Sequence, residues 1–217
     1  MRVLVTAFEP FGGQRVNASR LAVEALPDSV AGASVERAVL PCVFGAAAEA
    51  ALAAVATVRP DVVVACGEHR GAPGLAVERV ALNLASTPAD RPDNGGSAPE
   101  ERPLAPGAPG SLCATLPAAD CVRAAQAAGV PAHLSCSAGL YVCNSVMYAL
   151  LLRQRELLAA GMPAPAMAGF VHVPGTPAQA LRGILAEPLP SMDTALSARG
   201  IGAVLTACVD ALRRSRA

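Results

Sequence analysis

The chain has 217 residues, 17 basic and 17 acidic, for a formal net charge of zero. It is 53% hydrophobic, which excludes a disordered chain, and its length suits a single domain, 1–217, around one sizeable core. Balanced charge argues against a nucleic-acid or anionic-membrane partner, either of which asks for a basic surface.

In chain order, residues 2–8 read as a strand ending in the turn Phe8-Glu9-Pro10-Phe11-Gly12-Gly13. Residues 18–26 read as a short helix with Asn17 as its N-cap. A strand at 35–40 precedes an Ala-rich helix at 44–58, stopped by Pro60. The continuous apolar run 61–66 suits a strand buried on both faces, and 75–84 reads as a further strand. Then come a helix at 118–128 ended by Gly129, a strand at 132–136 and a long helix at 141–160 closed by Gly161. A strand at 166–173 and a terminal helix at 192–214, with Gly200 as a candidate break, complete the series. Arg213, Arg214 and Arg216 close that helix, where cations complement its dipole. Strands alternating with helices give an α/β fold with a mostly parallel central sheet. Residues 86–112 hold six prolines and four glycines without periodicity. A segment of this length suits a lid, a binding loop or a mobile stretch better than a domain linker.

The seven cysteines are Cys42, Cys66, Cys113, Cys121, Cys136, Cys143 and Cys208. Their odd number and the lack of any CxxC pair speak against a disulfide framework or zinc site, as does the lack of HExxH for other metals. The first 13 residues do not look like a signal peptide, and no uncharged stretch free of Pro and Gly is long enough for a bilayer. The expectation is a soluble cytoplasmic protein with reduced thiols and no metal or other cofactor.

Ser137-Ala138-Gly139-Leu140-Tyr141-Val142-Cys143-Asn144-Ser145 reads as a strand end, a glycine turn and a helix opening near Cys143. A thiol in a first helical turn sits beside unpaired N–H groups and the positive end of the dipole, which favour the nucleophilic thiolate. The alternative is a buried cysteine packed as a small hydrophobe. His172, in Gly169-Phe170-Val171-His172-Val173-Pro174, shares a strand face with Ala168 and Phe170. It is either a structural histidine satisfied by backbone or the partner of a thiol and a carboxylate. Glu78, in Val77-Glu78-Arg79-Val80, falls on an apolar strand face with Ala76, Val80 and Leu82. It either finds a partner there, an imidazole being the natural one, or stands in water at a sheet edge. Together Glu78, Cys143 and His172 form a candidate carboxylate–thiol–imidazole set. Aromatics are scarce, four Phe and two Tyr, and five of the six (Phe8, Phe11, Tyr141, Tyr148, Phe170) fall at or near these motifs. Aromatic lining is common in small-molecule pockets and also in ordinary cores.

The ordered series Thr6-Ala7-Phe8-Glu9-Pro10-Phe11-Gly12-Gly13 with Asn17, Glu78-Arg79-Val80-Ala81-Leu82-Asn83, Pro92-Asp93-Asn94, Ala138-Gly139-Leu140-Tyr141-Val142-Cys143-Asn144 and Phe170-Val171-His172-Val173-Pro174 resembles pyrrolidone-carboxylate peptidase, the type I pyroglutamyl peptidase family of cysteine peptidases. The resemblance runs over nearly the whole chain. It implies a three-layer α/β/α sandwich and a cytosolic, metal-free exopeptidase that removes an N-terminal pyroglutamyl residue from peptides. It maps the nucleophile to Cys143, the base to His172 and the acid to Glu78, and the substrate pocket to Phe8, Phe11, Asn17, Tyr141 and Val142. It also implies a homo-oligomer, often a tetramer. The backbone N–H of Cys143 is a candidate oxyanion donor.

The chain departs from the family at three places. Arg70-Gly71-Ala72 stands where many members carry Gly-Gly-Arg, and Glu68 where glutamine is frequent. The stretch from Glu78 to Pro92 is about two residues longer, so Arg91 is only the nearest match to the arginine before Pro-Asp-Asn. Two other readings stand beside the peptidase: a relative that binds a lactam-like or peptide N-terminus without cutting it, and a nucleoside- or phosphate-binding protein using Gly12-Gly13.

Overall fold

The computed structural model describes residues 1–181 and 189–217. The chain runs β1 (Arg2–Phe8), α1 (Ala18–Glu24), β2 (Ser29–Val30), β3 (Ala33–Leu40), α2 (Ala46–Val58), β4 (Val62–Glu68), β5 (Leu75–Glu78), β6 (Val80–Leu82), β7 (Ser111–Cys113), α3 (Ala118–Ala127), β8 (Ala132–Ser135), α4 (Val142–Ala159), β9 (Met167–Val173), α5 (Pro177–Ala180) and α6 (Thr194–Arg216). Seven strands form one sheet in the order β2-β3-β1-β4-β9-β5-β8. The pairs β1–β3, β1–β4, β4–β9 and β5–β8 are parallel, whereas β2–β3 and β5–β9 are antiparallel.

The sheet is covered on both faces. One face packs Val3, Val5, Val62, Val64, Val77 and Val171 against α1, α3 and α6. The other packs Leu4, Val63, Ala65 and Phe170 against α2 and α4. Alternate side chains of each strand serve opposite layers, which is why the central strands are apolar without a break. Every residue of β4 is buried. By length and composition α6 could cross a bilayer. Here its apolar side is covered by α1, α3 and the sheet.

Three elements differ from the sequence expectation. The strand expected at 75–84 is two strands in two sheets. Arg79 is exposed, its N–H donates to Ser135 O (2.8 Å) and its carbonyl accepts from Ala114 N–H (2.9 Å). Those bonds turn the chain out of the main sheet and into the β6–β7 hairpin, which lies on α4. Val80 and Leu82 therefore do not continue the face of Glu78. Second, Gly200 does not interrupt α6. A Cβ there would lie 2.4 Å from Leu75 Cδ1 and 2.9 Å from Val130 Cγ1, so the glycine lets the helix approach β5 closely. Third, β2, β7 and α5 carried too few residues to show a period.

Residues 86–112 are pinned over the sheet by particular bonds. Ala85 and Arg102 form an antiparallel bridge, and Ser86 N–H donates to Leu140 O (3.1 Å). The Asp93 carboxylate accepts the N–H groups of Phe44, Gly95 and Ser97 at 2.7 to 2.9 Å. Asn94 Nδ2 donates to Glu9 Oε1 (2.8 Å) and Pro10 O (2.9 Å), which ties this segment to the turn after β1.

Candidate active site

Three neighbouring strands and one helix build the site. In the β4–β9 register Gly67 stands opposite His172, and in the antiparallel β5–β9 register Ala76 does. Glu78 lies two residues further along β5, within diagonal reach on the same face. His172 Nδ1 and Glu78 Oε1 are 2.8 Å apart, and both side chains are buried. The register of β5 against β9 is what sets the carboxylate beside that ring. Glu78 Oε2 has no partner among the described residues.

The helix α4 brings the thiol. Gly139 turns at φ 75°, and Tyr141 caps the helix in an extended conformation without a side-chain bond. The first intrahelical bond runs from Ser145 N–H to Tyr141 O (3.3 Å), so the N–H groups of Val142, Cys143 and Asn144 precede it. Asn144 anchors this turn. Its Oδ1 accepts from Leu82 N–H and its Nδ2 donates to the carbonyls of Leu82 and Leu84, all at 2.9 Å. Cys143 Sγ lies where a Gly67 side chain would be, 2.8 Å from the Cβ an alanine would place there. The Phe170 ring flanks the same spot and stands 4.7 Å from the His172 ring.

Cys143 and His172 line one cavity of about 510 Å³ with Phe8, Phe11, Asn17, Cys42, Glu68, His69, Arg70, Arg91 and Tyr141. A second, outer cavity of about 940 Å³ shares Phe11, Arg70, Arg91 and Tyr141 with it and continues along Gly12, Gly13 and residues 86–94. Tyr141 stacks against Phe11 (6.1 Å) and edge-on against Phe44 (5.5 Å), and its hydroxyl donates to Pro92 O (3.0 Å).

Of the pocket residues expected from the sequence, Phe8, Phe11, Asn17 and Tyr141 line the inner cavity. Val142 is fully buried beside Val146 in the core and lines neither cavity. As the first helical residue it faces the sheet, while Tyr141 and Cys143 on either side reach the opening. Asn17 is the N-cap of α1, accepting from Ser19 N–H (2.9 Å), and donates to Glu9 O (3.0 Å). The Gly12–Gly13 turn opens no helix. The α1 N-terminus is five residues further on, and its Ala18 N–H already donates to the Glu68 carboxylate (2.6 Å). That arrangement leaves no phosphate cradle there.

The electrostatics correct one expectation. Burial pushes the Cys143 thiol above its ordinary value, and Cys42, Glu78 and Glu68 push the same way against the lowering effect of a backbone N–H. Desolvation outweighs the helix terminus, so the resting group is the thiol and its ionisation needs a base. His69, exposed at the cavity and 5.7 Å from His172 in edge contact, is held below its usual value by desolvation and by His172. Burial likewise pushes Cys42 up to about 12.

Gly67, His69, Cys42 and Phe44 were not singled out in the sequence. Only Gly67 carried a signal, as a glycine at the end of a buried strand, where backbone or ligand often approaches closely. Among the described residues no group of three His, Cys, Asp or Glu side chains could hold a metal ion.

The family model described as pyroglutamyl peptidase matches residues 1–211. The chain belongs to the pyroglutamyl peptidase family. It is 42% identical over 192 residues to the pyrrolidone-carboxylate peptidase of Thermococcus onnurineus, covering 88% of this chain and 90% of that one. It is 38% identical over 209 residues to that of Levilactobacillus brevis, covering 96% and 98%. The solved pyrrolidone carboxyl peptidase of Thermococcus litoralis superposes with a TM-score of 0.89 at 31% identity, over 99% of this chain and 96% of that one. A mutant of the Pyrococcus furiosus protein gives 0.88 at 35%, over 98% and 100%. The α/β fold with its mostly parallel sheet is thus the fold of this family. Glu68 and Arg70, which departed from the family pattern in the sequence, lie together: Arg70 Nε is 3.4 Å from Glu68 Oε1.

Proposed function

We propose that this chain hydrolyses the amide bond following an N-terminal pyroglutamyl residue of a peptide, with Cys143 as nucleophile, His172 as general base and acid, and Glu78 orienting the imidazole. The observation that carries the reading is the 2.8 Å contact between His172 Nδ1 and Glu78 Oε1, beside a helix-start thiol in the same cavity. The Glu78 carboxylate accepts a hydrogen bond from Nδ1–H and so leaves Nε2 as the basic nitrogen of His172. As Cys143 Sγ attacks the scissile carbonyl carbon, its proton passes to Nε2, and the buried Glu78 carboxylate stabilises the imidazolium that forms. The carbonyl oxygen takes the negative charge near the N–H of Cys143, at the positive end of α4. The imidazolium then returns its proton to the departing amine, the C–N bond breaks, and a thioester remains. Water, deprotonated by His172, attacks that thioester and releases pyroglutamate and the free thiol.

The lactam suits the inner cavity. It is small, neutral and flat, and Phe8, Phe11 and Tyr141 offer ring contacts where a charged amino terminus would go unpaired.

Reduced protein is assayed on a fluorogenic pyroglutamyl amide and the matching prolyl amide, with Cys143→Ala in parallel. The expected result is cleavage of the pyroglutamyl amide alone, with kcat lower by about 10³-fold or more in the folded variant. Binding without turnover by the wild type would overturn the hydrolase reading in favour of a binding protein.

A further inference from the structure

Arg70 is a residue of both cavities that the hydrolytic chemistry does not use. It lines the inner cavity, the outer cavity and the small recess by Gly175 and Thr176. Its guanidinium lies 5.7 Å from the centroid of the Phe11 ring, and its Nε faces the buried carboxylate of Glu68 at 3.4 Å. Glu68 is itself held by Ala18 N–H (2.6 Å) and by Gln179 Nε2, 3.0 Å from each oxygen. The arginine is therefore fixed at its Nε edge and across its flat face. The terminal amino groups have no hydrogen-bond acceptor among the described residues, and Nη2 lies along the Gly12 wall, where the missing side chain leaves the approach open. The Arg70 side chain is 39% exposed.

A pre-oriented guanidinium fork with free terminal donors is a carboxylate receptor. The pyroglutamyl group offers it no carboxylate, since a lactam carries no charge. The chain beyond the scissile bond can offer one, where it passes from the inner cavity into the outer one along a neck of Phe11, Arg70, Arg91 and Tyr141, which line both. Of the acids near this neck among the described residues, Glu68 is already paired with Arg70, and Asp93 is turned into the N–H groups of Phe44, Gly95 and Ser97. Asp90 is exposed at the outer rim. The neck itself carries the two arginines.

We propose that Arg70 binds a carboxylate on the residue immediately after the scissile bond, so that the enzyme favours pyroglutamyl peptides with an acidic side chain there or with that residue's own C-terminal carboxylate. This rests on the pyroglutamyl hydrolase reading. It assigns a selectivity on the leaving side, for which the catalytic set makes no demand.

The test compares four substrates at low salt: pyroglutamyl-glutamine amide, with no carboxylate; pyroglutamyl-glutamine, with only the terminal one; pyroglutamyl-glutamate amide, with only the side-chain one; and pyroglutamyl-lysine amide. Release of the second residue gives kcat/KM for wild type, Arg70→Gln, Arg70→Lys and Arg91→Gln. Each carboxylate substrate is read as its ratio to the uncharged amide within the same protein. In the wild type at least one ratio is expected at about tenfold, and the lysine amide below one. Which ratio rises tells the side-chain carboxylate from the terminal one. The ratio falls toward one in Arg70→Gln and is partly kept in Arg70→Lys, which retains charge without the fork. Because Arg70→Gln leaves Glu68 without its cation, Glu68→Gln/Arg70→Gln serves where the single variant does not fold. Wild-type ratios near one, ratios that survive loss of Arg70, or ratios lost only in Arg91→Gln overturn the proposal while hydrolysis stands. Failure of folded, reduced wild type to cleave any of the four overturns the hydrolase reading and this proposal with it.

Discussion

At the scale of single residues, the site depends on a side chain that is missing. Gly67, the last residue but one of the buried strand β4, lies directly beneath the Cys143 thiol. A methyl there would sit 2.8 Å from both Sγ and Phe170 Cζ, closer than such contacts occur, and Phe170 is fully buried with nowhere to retreat. The thiol must therefore give way. Gly67→Ala is expected to lower kcat/KM on a pyroglutamyl amide by about 10²-fold, because a nucleophile displaced by about an ångström loses its line of attack. The same overpacking should cost roughly 1–3 kcal/mol of stability, which leaves the variant folded. Wild-type kcat/KM in Gly67→Ala would mean that Sγ does not react from this position. Glu68, His69 and Arg70 follow within three residues, so the end of β4 and the turn after it supply both the floor under the Cys143 thiol and the neck of the cavity.

At the scale of elements, β5 is the one whose setting decides the chemistry. It runs antiparallel to β9 in a register that sets Ala76 opposite His172, and that register brings Glu78 diagonally to His172. Its other face packs Leu75 under α6, at Gly200. Gly200→Ala is favoured by helix propensity by about 1 kcal/mol. It also drives a methyl to 2.4 Å from Leu75 Cδ1 and 2.9 Å from Val130 Cγ1 in a fully buried interface. Packing is expected to win, for a net loss of about 1–2 kcal/mol in urea denaturation. Adding Leu75→Ala makes room for the new methyl, so the double variant should be less destabilised than the two single losses predict together. Strict additivity would show that α6 and β5 do not press on each other at this point.

For the whole molecule, buried thiols set the alkaline limit of stability. Cys42 and Cys66 are both raised to about 12 by burial, from 9.0 in the unfolded chain, and Cys143 and Tyr141 are raised in the same direction. Between pH 9 and 12 the unfolded chain has released protons that the native state still holds, so stability falls as pH rises. For fully buried Cys66 the loss at pH 10.5 is roughly 2 kcal/mol. His69 acts at the other end. Its native pKa is depressed, so its contribution is full above about 6.5 and is lost as pH falls below that value. Urea midpoints measured from pH 5 to 10.5 should peak between these limits. A midpoint that stays flat from pH 8 to 10.5 would mean that the thiols are not held in their neutral form.

The sequence by itself determined most of the fold and part of the site. Continuous apolar runs at β1 and β4, Ala-rich helical stretches and their glycine and proline stops made the α/β alternation legible, because each signal is local. The thiol at a helix start and the histidine near a strand end were legible for the same reason. Only the tertiary structure decided the rest. The split at Arg79 depends on Ser135 and Ala114, which are 56 and 35 residues away along the chain. Gly200 stays helical because of Leu75, and Val142 is turned into the core while its neighbours reach the cavity. The ionisation of Cys143 follows the same rule: a helix start favours the thiolate wherever it stands, but the partial burial of this thiol, with Cys42 and Glu78 near it, pushes its ionisation the other way.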